Sequence, residues 1–178
     1  YAYDPENPSQ HIIDMSENEI EVPEDYTREE LRQDLLCYTS PVLKEDLVLT
    51  GDMTAELYIS SDAPDTDFVV RVTDVDENGR SIKLADGLLS ARYRNGFARS
   101  EFLQEGEIVC LKIRTTKLSN CSRKGHRIRV TVTSSAKNFI FPNSNTREGF
   151  ASARTVVAHN RVYHGGLHAS RLTVRVEP

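Results

Sequence analysis

The chain has no tryptophan, two methionines and three cysteines among 178 residues. With no tryptophan and only seven tyrosines, a stacking platform of the kind a carbohydrate-binding module presents is poorly supplied. Cys37, Cys110 and Cys121 are odd in number and widely spaced. They form no CxxC pair and no zinc set, and read as reduced thiols serving as small apolar side chains. No apolar run approaches the roughly 18 residues a membrane-spanning helix needs, so no membrane contact is expected. No secretory signal pattern opens the sequence, and a cytoplasmic setting is the expectation. Lys and Arg number 22 against 27 Asp and Glu, for a net charge of -5 and a pI near 5.6. That balance lacks the basic footprint of a nucleic-acid binder. Also absent are the G-x-S-x-G elbow of α/β-hydrolases, the G-x-G-x-x-G fingerprint, a P-loop and H-E-x-x-H. The residues therefore carry no catalytic signature and imply no cofactor.

What is present is a β pattern. A chain of this length builds one sizeable core. Residues 1–26, with Pro5, Pro8 and Pro23, read as an extended lead-in segment or linker, and 27–178 as a single β-sandwich domain with little helix. In TREELRQDLL, Thr27 and Glu30 have capping-box spacing, which predicts a short helix or turn over 27–36. After Pro41 the period becomes two. Met53, Ala55, Leu57 and Ile59 alternate with polar positions. In DFVVRVTDV, Phe68, Val70 and Val72 share one face, and Val69, Arg71, Thr73 and Val75 the other. Asn78-Gly79 then predicts a type I′ hairpin, because both residues tolerate positive φ. Further strands are expected at Ser81–Leu84, Glu107–Thr115, His126–Thr133 and Ser170–Val176. In the last two, Ile128, Val130, Val132 and Leu172, Val174, Val176 alternate.

Three clusters offer chemistry. DVDENG matches the first half of an EF-hand loop: Asp74, Asp76, Asn78 and Gly79 occupy positions 1, 3, 5 and 6, but position 12 is Ala85, which has no ligand oxygen. The hairpin is the expectation, with Asp74 and Asp76 kept as calcium candidates. Asp62, Asp65 and Asp67 surround Pro64 in SSDAPDTD. They read as turn formers, with two alternatives: oxygen donors to a hard cation, or partners of a strand arginine such as Arg71 or Arg92. His159, His164 and His168 are spaced four or five apart, but Gly165 and Gly166 break any helix that would align them for a metal.

The run LLCYTSPVLKEDLVLTGDMTAELYISSDAPDTDFVVRVTDVDENGRSIKLADGLLSARYR resembles the C-terminal domain of X-Pro dipeptidyl-peptidase-like serine hydrolases, the group that includes cocaine esterases, α-amino-acid ester hydrolases and acylases. YAYDPENP, GHRIRVTVTSS, FPNSNTREG and HASRLTVRV continue the resemblance in order, across nearly the whole chain. The segment SQHIIDMSENEIEVPEDYT and the loop FIFPNSN depart from the usual pattern. The resemblance implies an all-β jelly-roll sandwich, galactose-binding-like, that packs on the α/β-hydrolase catalytic domain of the same full-length chain. The triad would then lie in that other domain. It allows a homo-oligomer and a wall of the substrate cleft, and it marks Asp65, Asp67, Arg71, Asp86 and Arg92 as a structural stretch. The parent protein would be an enzyme and this chain alone would not. Two other readings stay open on the residues: a stand-alone carbohydrate-binding module, and a calcium-stabilised β-sandwich.

Overall fold

Two antiparallel sheets face each other across one apolar core. The computed structural model describes residues 1–12 and 23–177, so most of the segment that departs from the family pattern, residues 13–22, lies outside the described residues. In the described chain the strands are β1 (Ala2–Tyr3), β2 (Leu36–Thr39), β3 (Leu47–Ser61), β4 (Asp67–Val75), β5 (Ser81–Ser90), β6 (Val109–Arg114), β7 (Leu118–Ser122), β8 (Arg127–Thr133), β9 (Ala158–Gly165), β10 (His168–Ala169) and β11 (Arg171–Glu177).

β3 organises the first sheet. Its alternation places Met53, Ala55, Leu57 and Ile59 inward, all at 5% exposure or less. At 15 residues it is long enough to hold two partners along each side. Thr54 has Arg114 of β6 on one side and Thr173 of β11 on the other. Towards its start β3 pairs with β7, and towards its end with β9, which in turn pairs with β1 and β10. The second sheet runs β2-β8-β4-β5. Phe68 and Val70 of β4 and Val132 of β8 meet Leu57, Ile59, Leu111 and Ile113 of the first sheet in the core, and Val72 packs with Met53 and Ala85 beside them.

The other face of β4 is buried too, which no half-buried strand pattern explains. Residues near the start of the chain cover it. Tyr26 N–H donates to Ser81 O at 2.8 Å and Lys83 N–H to Glu24 O at 3.0 Å, so residues 24–26 run along the edge of β5. Tyr3 and Tyr26 are both fully buried. Residues 1–12 and 23–26, set apart in the sequence, thus pack against both sheets.

Two local expectations are corrected. The short helix or turn expected over 27–36 forms as a single 3-10 turn, Glu29–Leu31, but without the Thr27 capping box: it starts behind Arg28 with no side-chain cap. Thr27 instead accepts from Ser81 N–H at 2.9 Å. Glu30 is buried, accepting from Ser81 Oγ at 2.7 Å and pairing with Arg129. Tertiary partners outcompete the local cap. The hairpin after β4 forms, but not as type I′. Only Gly79 has positive φ, at 85°. Gly79 N–H donates to Asp76 O at 3.0 Å and Asp76 N–H to Arg80 O at 2.9 Å, a three-residue loop with a glycine bulge. Asp76 Oδ1 selects it by accepting from the N–H groups of Asn78 and Arg80 at 2.8 and 2.9 Å.

β5 also runs beyond the expected Leu84, to Ser90. Gly87, within that extension, serves a close approach. A Cβ there would lie 2.4 Å from Arg114 O. Here the margins of the two sheets meet, with Thr116 N–H donating to Asp86 O at 2.8 Å. The opposite margin, between β2–β8 and β9–β11, stays open. A bulge between Thr173 and Arg175 interrupts β11, and Val174 and Val176 remain 37% and 50% exposed.

Candidate functional site

The five residues of the family-like stretch fall into two clusters. Asp65, Asp67 and Arg92 meet at one end of the sandwich, beside the turn leaving β5. Asp65 is fully buried. It accepts Arg92 Nε on Oδ2 at 2.7 Å and Arg92 N–H on Oδ1 at 2.9 Å. The remaining guanidinium nitrogens donate to the carbonyls of Arg147 and Thr146 at 3.0 and 3.1 Å. Asn143 Nδ2 bridges the two carboxylates, at 2.7 Å from Asp65 Oδ2 and 3.0 Å from Asp67 Oδ1. Burial pushes the Asp67 carboxyl above its ordinary range. The hydrogen bond from Asn143 opposes that rise, and the nearby Asp65 charge adds to it. Arg92 thereby ties together three segments: 62–67, 91–102 and 143–149. A buried ion pair with every guanidinium nitrogen engaged is a rigid fastener.

Arg71 and Asp86 are cross-strand partners on the outer face of β4–β5. The Arg71 guanidinium is 1% exposed and lies 3.6 Å from the centroid of the Tyr26 ring. Asp86 Oδ2 is 3.3 Å from His11 Nε2 and 3.5 Å from Lys83 Nζ. Lys83 also pairs with Glu24, which accepts the Tyr26 hydroxyl at 2.9 Å. Burial alone would raise Asp86, but the His11 contact and the charges of Lys83 and Arg71 hold its carboxyl below the usual range. This second cluster fastens the covering segment to the sheet.

The remaining candidates do not converge. Asp74 pairs with His126 Nδ1 at 2.7 Å, while Asp76 shapes its hairpin. Asp62 receives His159 Nδ1 at 2.7 Å and His159 N–H at 2.8 Å. His164 lies edge-on to Tyr38, and His168 packs beside Tyr58 and Tyr163. Among the described residues, no three His, Cys, Asp or Glu gather as a metal site. The sequence reading did not single out Asn143, or Asn145, whose φ is 62° and whose Nδ2 donates to Val156 O at 2.6 Å. Two asparagines in PNSN signal a turn, but nothing local says that one reaches Asp65, 78 residues away.

An apolar cavity of about 500 Å³ opens between the sheets at the unclosed margin, lined by Tyr38, Leu57, Val130, Val162, His164 and Leu172 among others.

Residues 1–173 match the family model described as the X-Pro dipeptidyl-peptidase C-terminal non-catalytic domain. The chain belongs to that family. This C-terminal domain is 34% identical over 183 residues to cocaine esterase of Rhodococcus sp. (strain MB1 Bresler), with 99% of the chain and 32% of the esterase covered. In fold it is similar to an aminopeptidase of a marine sediment Thaumarchaeota archaeon, with a TM-score of 0.91 at 24% identity over 100% of the chain and 33% of the neighbour. An alpha-amino acid ester hydrolase superposes with a TM-score of 0.85 at 22% identity, over 99% of the chain and 32% of that protein. The domain thus spans about a third of the relatives it matches. Among the described residues no helix is long and apolar enough to cross a membrane.

Proposed function

We propose that this chain is the accessory C-terminal domain of a serine hydrolase of acyl-esterase or X-Pro dipeptidyl-peptidase type. It packs on an α/β-hydrolase domain of the same polypeptide and walls that domain's substrate cleft. One observation carries the reading: the match to a non-catalytic C-terminal family runs through residues 1–173, yet the chain accounts for only 32% of its esterase relative. The buried clusters around Asp65 and Asp86 support it, since they hold loops and a covering segment in place. The reading takes the two sheets as a jelly roll, and the compartment as the cytoplasm, where three free thiols persist.

The test is hydrolysis of a nitrophenyl ester and of an X-Pro nitroanilide by the full-length gene product and by the 178-residue chain. Activity confined to the full-length protein is the expected result. Turnover by the 178-residue chain alone would overturn the proposal.

A further inference from the structure

Three phenylalanines at the Arg92 end of the sandwich lie on the surface: Phe97 at 79% exposure, Phe141 at 78% and Phe150 at 73%. Single exposed apolar residues need no explanation, but Phe141 and Phe150 are in contact, and Phe97 lies on Tyr93 across a small cavity from them. Phe141 stacks on Phe150 with centroids 5.8 Å apart, and Phe97 packs on Tyr93 at 5.5 Å. Between the pairs, a cavity of about 140 Å³ is lined by Tyr93, Phe141 and Phe150, with Asp67, Arg92 and Asn143 also on its wall. The aromatic rings therefore stand on the buried ion pair. Arg92 holds both loops that carry them, through Asp65 and through the carbonyls of Thr146 and Arg147. Gly149, with φ of 62°, lies against the Arg92 guanidinium, where a Cβ would come within 3.0 Å. Exposed aromatics fixed by a buried scaffold lose little freedom on being covered, which is the property of an interface hot spot.

We infer that this phenylalanine patch is the surface that docks on the catalytic part of the full-length chain; the inference rests on the function proposed above. Two further observations favour that occupant. First, the relatives carry about two thirds of their length outside the matched region, and the family is described as a C-terminal non-catalytic domain. Residues 5–8 border the patch directly: Pro5 and Pro8 line a hollow shared with Phe139 and Phe141. Second, apart from Arg92, which Asp65 neutralises, the two loops, residues 91–103 and 138–157, hold four arginines against two glutamates, in a chain of net charge -5. The complementary surface is an apolar groove with carboxylates at its rim.

Hydroxyl-radical footprinting of the full-length protein beside the 178-residue chain tests this. Phe97, Phe141 and Phe150 are expected to lose most of their oxidation in the full-length protein, while Leu167, 92% exposed on another turn, keeps its own. Unchanged oxidation of the three rings overturns the inference. Protection confined to another face overturns it and leaves the proposed function standing. Absence of protection anywhere on the domain removes both. Concentration-dependent protection in the 178-residue chain alone assigns the patch to a second copy, and again overturns the inference. A measurement that stays within the full-length protein is calorimetry of Phe141→Asp combined with Phe150→Asp. It should split one unfolding transition into two, whereas Leu167→Asp leaves one; a single unshifted transition in both counts against the inference.

Discussion

Asp65 and Asp67 lie two positions apart and are bridged by one amide, yet their burial has opposite consequences. Asp65 neutralises Arg92, whose side chain is only 12% exposed. Asp65→Ala leaves that guanidinium without its anion and should cost about 3 kcal/mol by chemical denaturation, in the range for breaking a buried pair. Asp67 has no cation of its own among the contacts described, and its carboxyl is raised. Asp67→Asn keeps an acceptor for Asn143 and removes a buried charge, so stability at neutral pH should hold or rise. The two raised and lowered carboxyls give opposite pH slopes. Asp86, held low in the folded state, contributes stability above the unfolded carboxyl value of about 4, and that contribution is lost as the pH falls through the folded value. Asp67, held high, does the reverse: its contribution is full below about pH 4 and disappears as the pH rises through the folded value. Denaturation midpoints measured across pH 2 to 8, roughly the range in which carboxylates and histidines titrate, should show the deficit of Asp86→Asn shrinking on acidification. A deficit that does not change with pH would mean that the Asp86 charge contributes nothing to the covering segment.

At the level of elements, two glycines separate backbone strain from steric contact. Gly79 has positive φ with open space around it, so Gly79→Ala should cost only the left-handed penalty, about 1 kcal/mol. Gly87 lies in β5 against the Arg114–Thr115 backbone, with no flexible side chain to give way. Gly87→Ala must push β5 away from β6, and should cost about 1–3 kcal/mol, as overpacking does. Urea titration of both variants distinguishes these cases. Equal costs would mean that the sheet margins yield more easily than the close approach implies. β11 belongs to this scale as well. Leu172 stands opposite Ala55 and Val176 opposite Leu49, while the strand's other face carries charged Arg171 and Arg175. Charged positions on an edge strand limit its pairing with another chain.

Across the whole molecule, the division of labour is set by closure at one margin and opening at the other. The sheets are sealed where β5 meets β6, are held by ion pairs at the Arg92 end, and leave an apolar cavity between β2–β8 and β9–β11. The two calcium candidates are each engaged elsewhere, Asp74 with His126 and Asp76 with its own turn. Melting in excess calcium and in excess chelator should therefore give the same Tm. A rise with calcium would show a site that binds only the folded state, since such binding must stabilise it.

Strong period-two signals determined the all-β class and the inward faces of β3, β4 and β8, because alternation alone decides which side chains leave water. The long matching runs also carried the family. The hairpin's position was legible in Asn78-Gly79, but its geometry was not, since the Asp76 side chain chose the loop. Tertiary structure alone decided that Glu30 would be buried in place of capping a helix, that Gly87 would mark a contact between the sheets, and that Arg71 and Asp86 would separate from Asp65, Asp67 and Arg92. Each depends on a partner many residues away: Ser81 for Glu30, Arg114 for Gly87, Tyr26 for Arg71 and Asn143 for Asp65. Local propensity has no access to such partners, because their energy exists only once the sheets have closed.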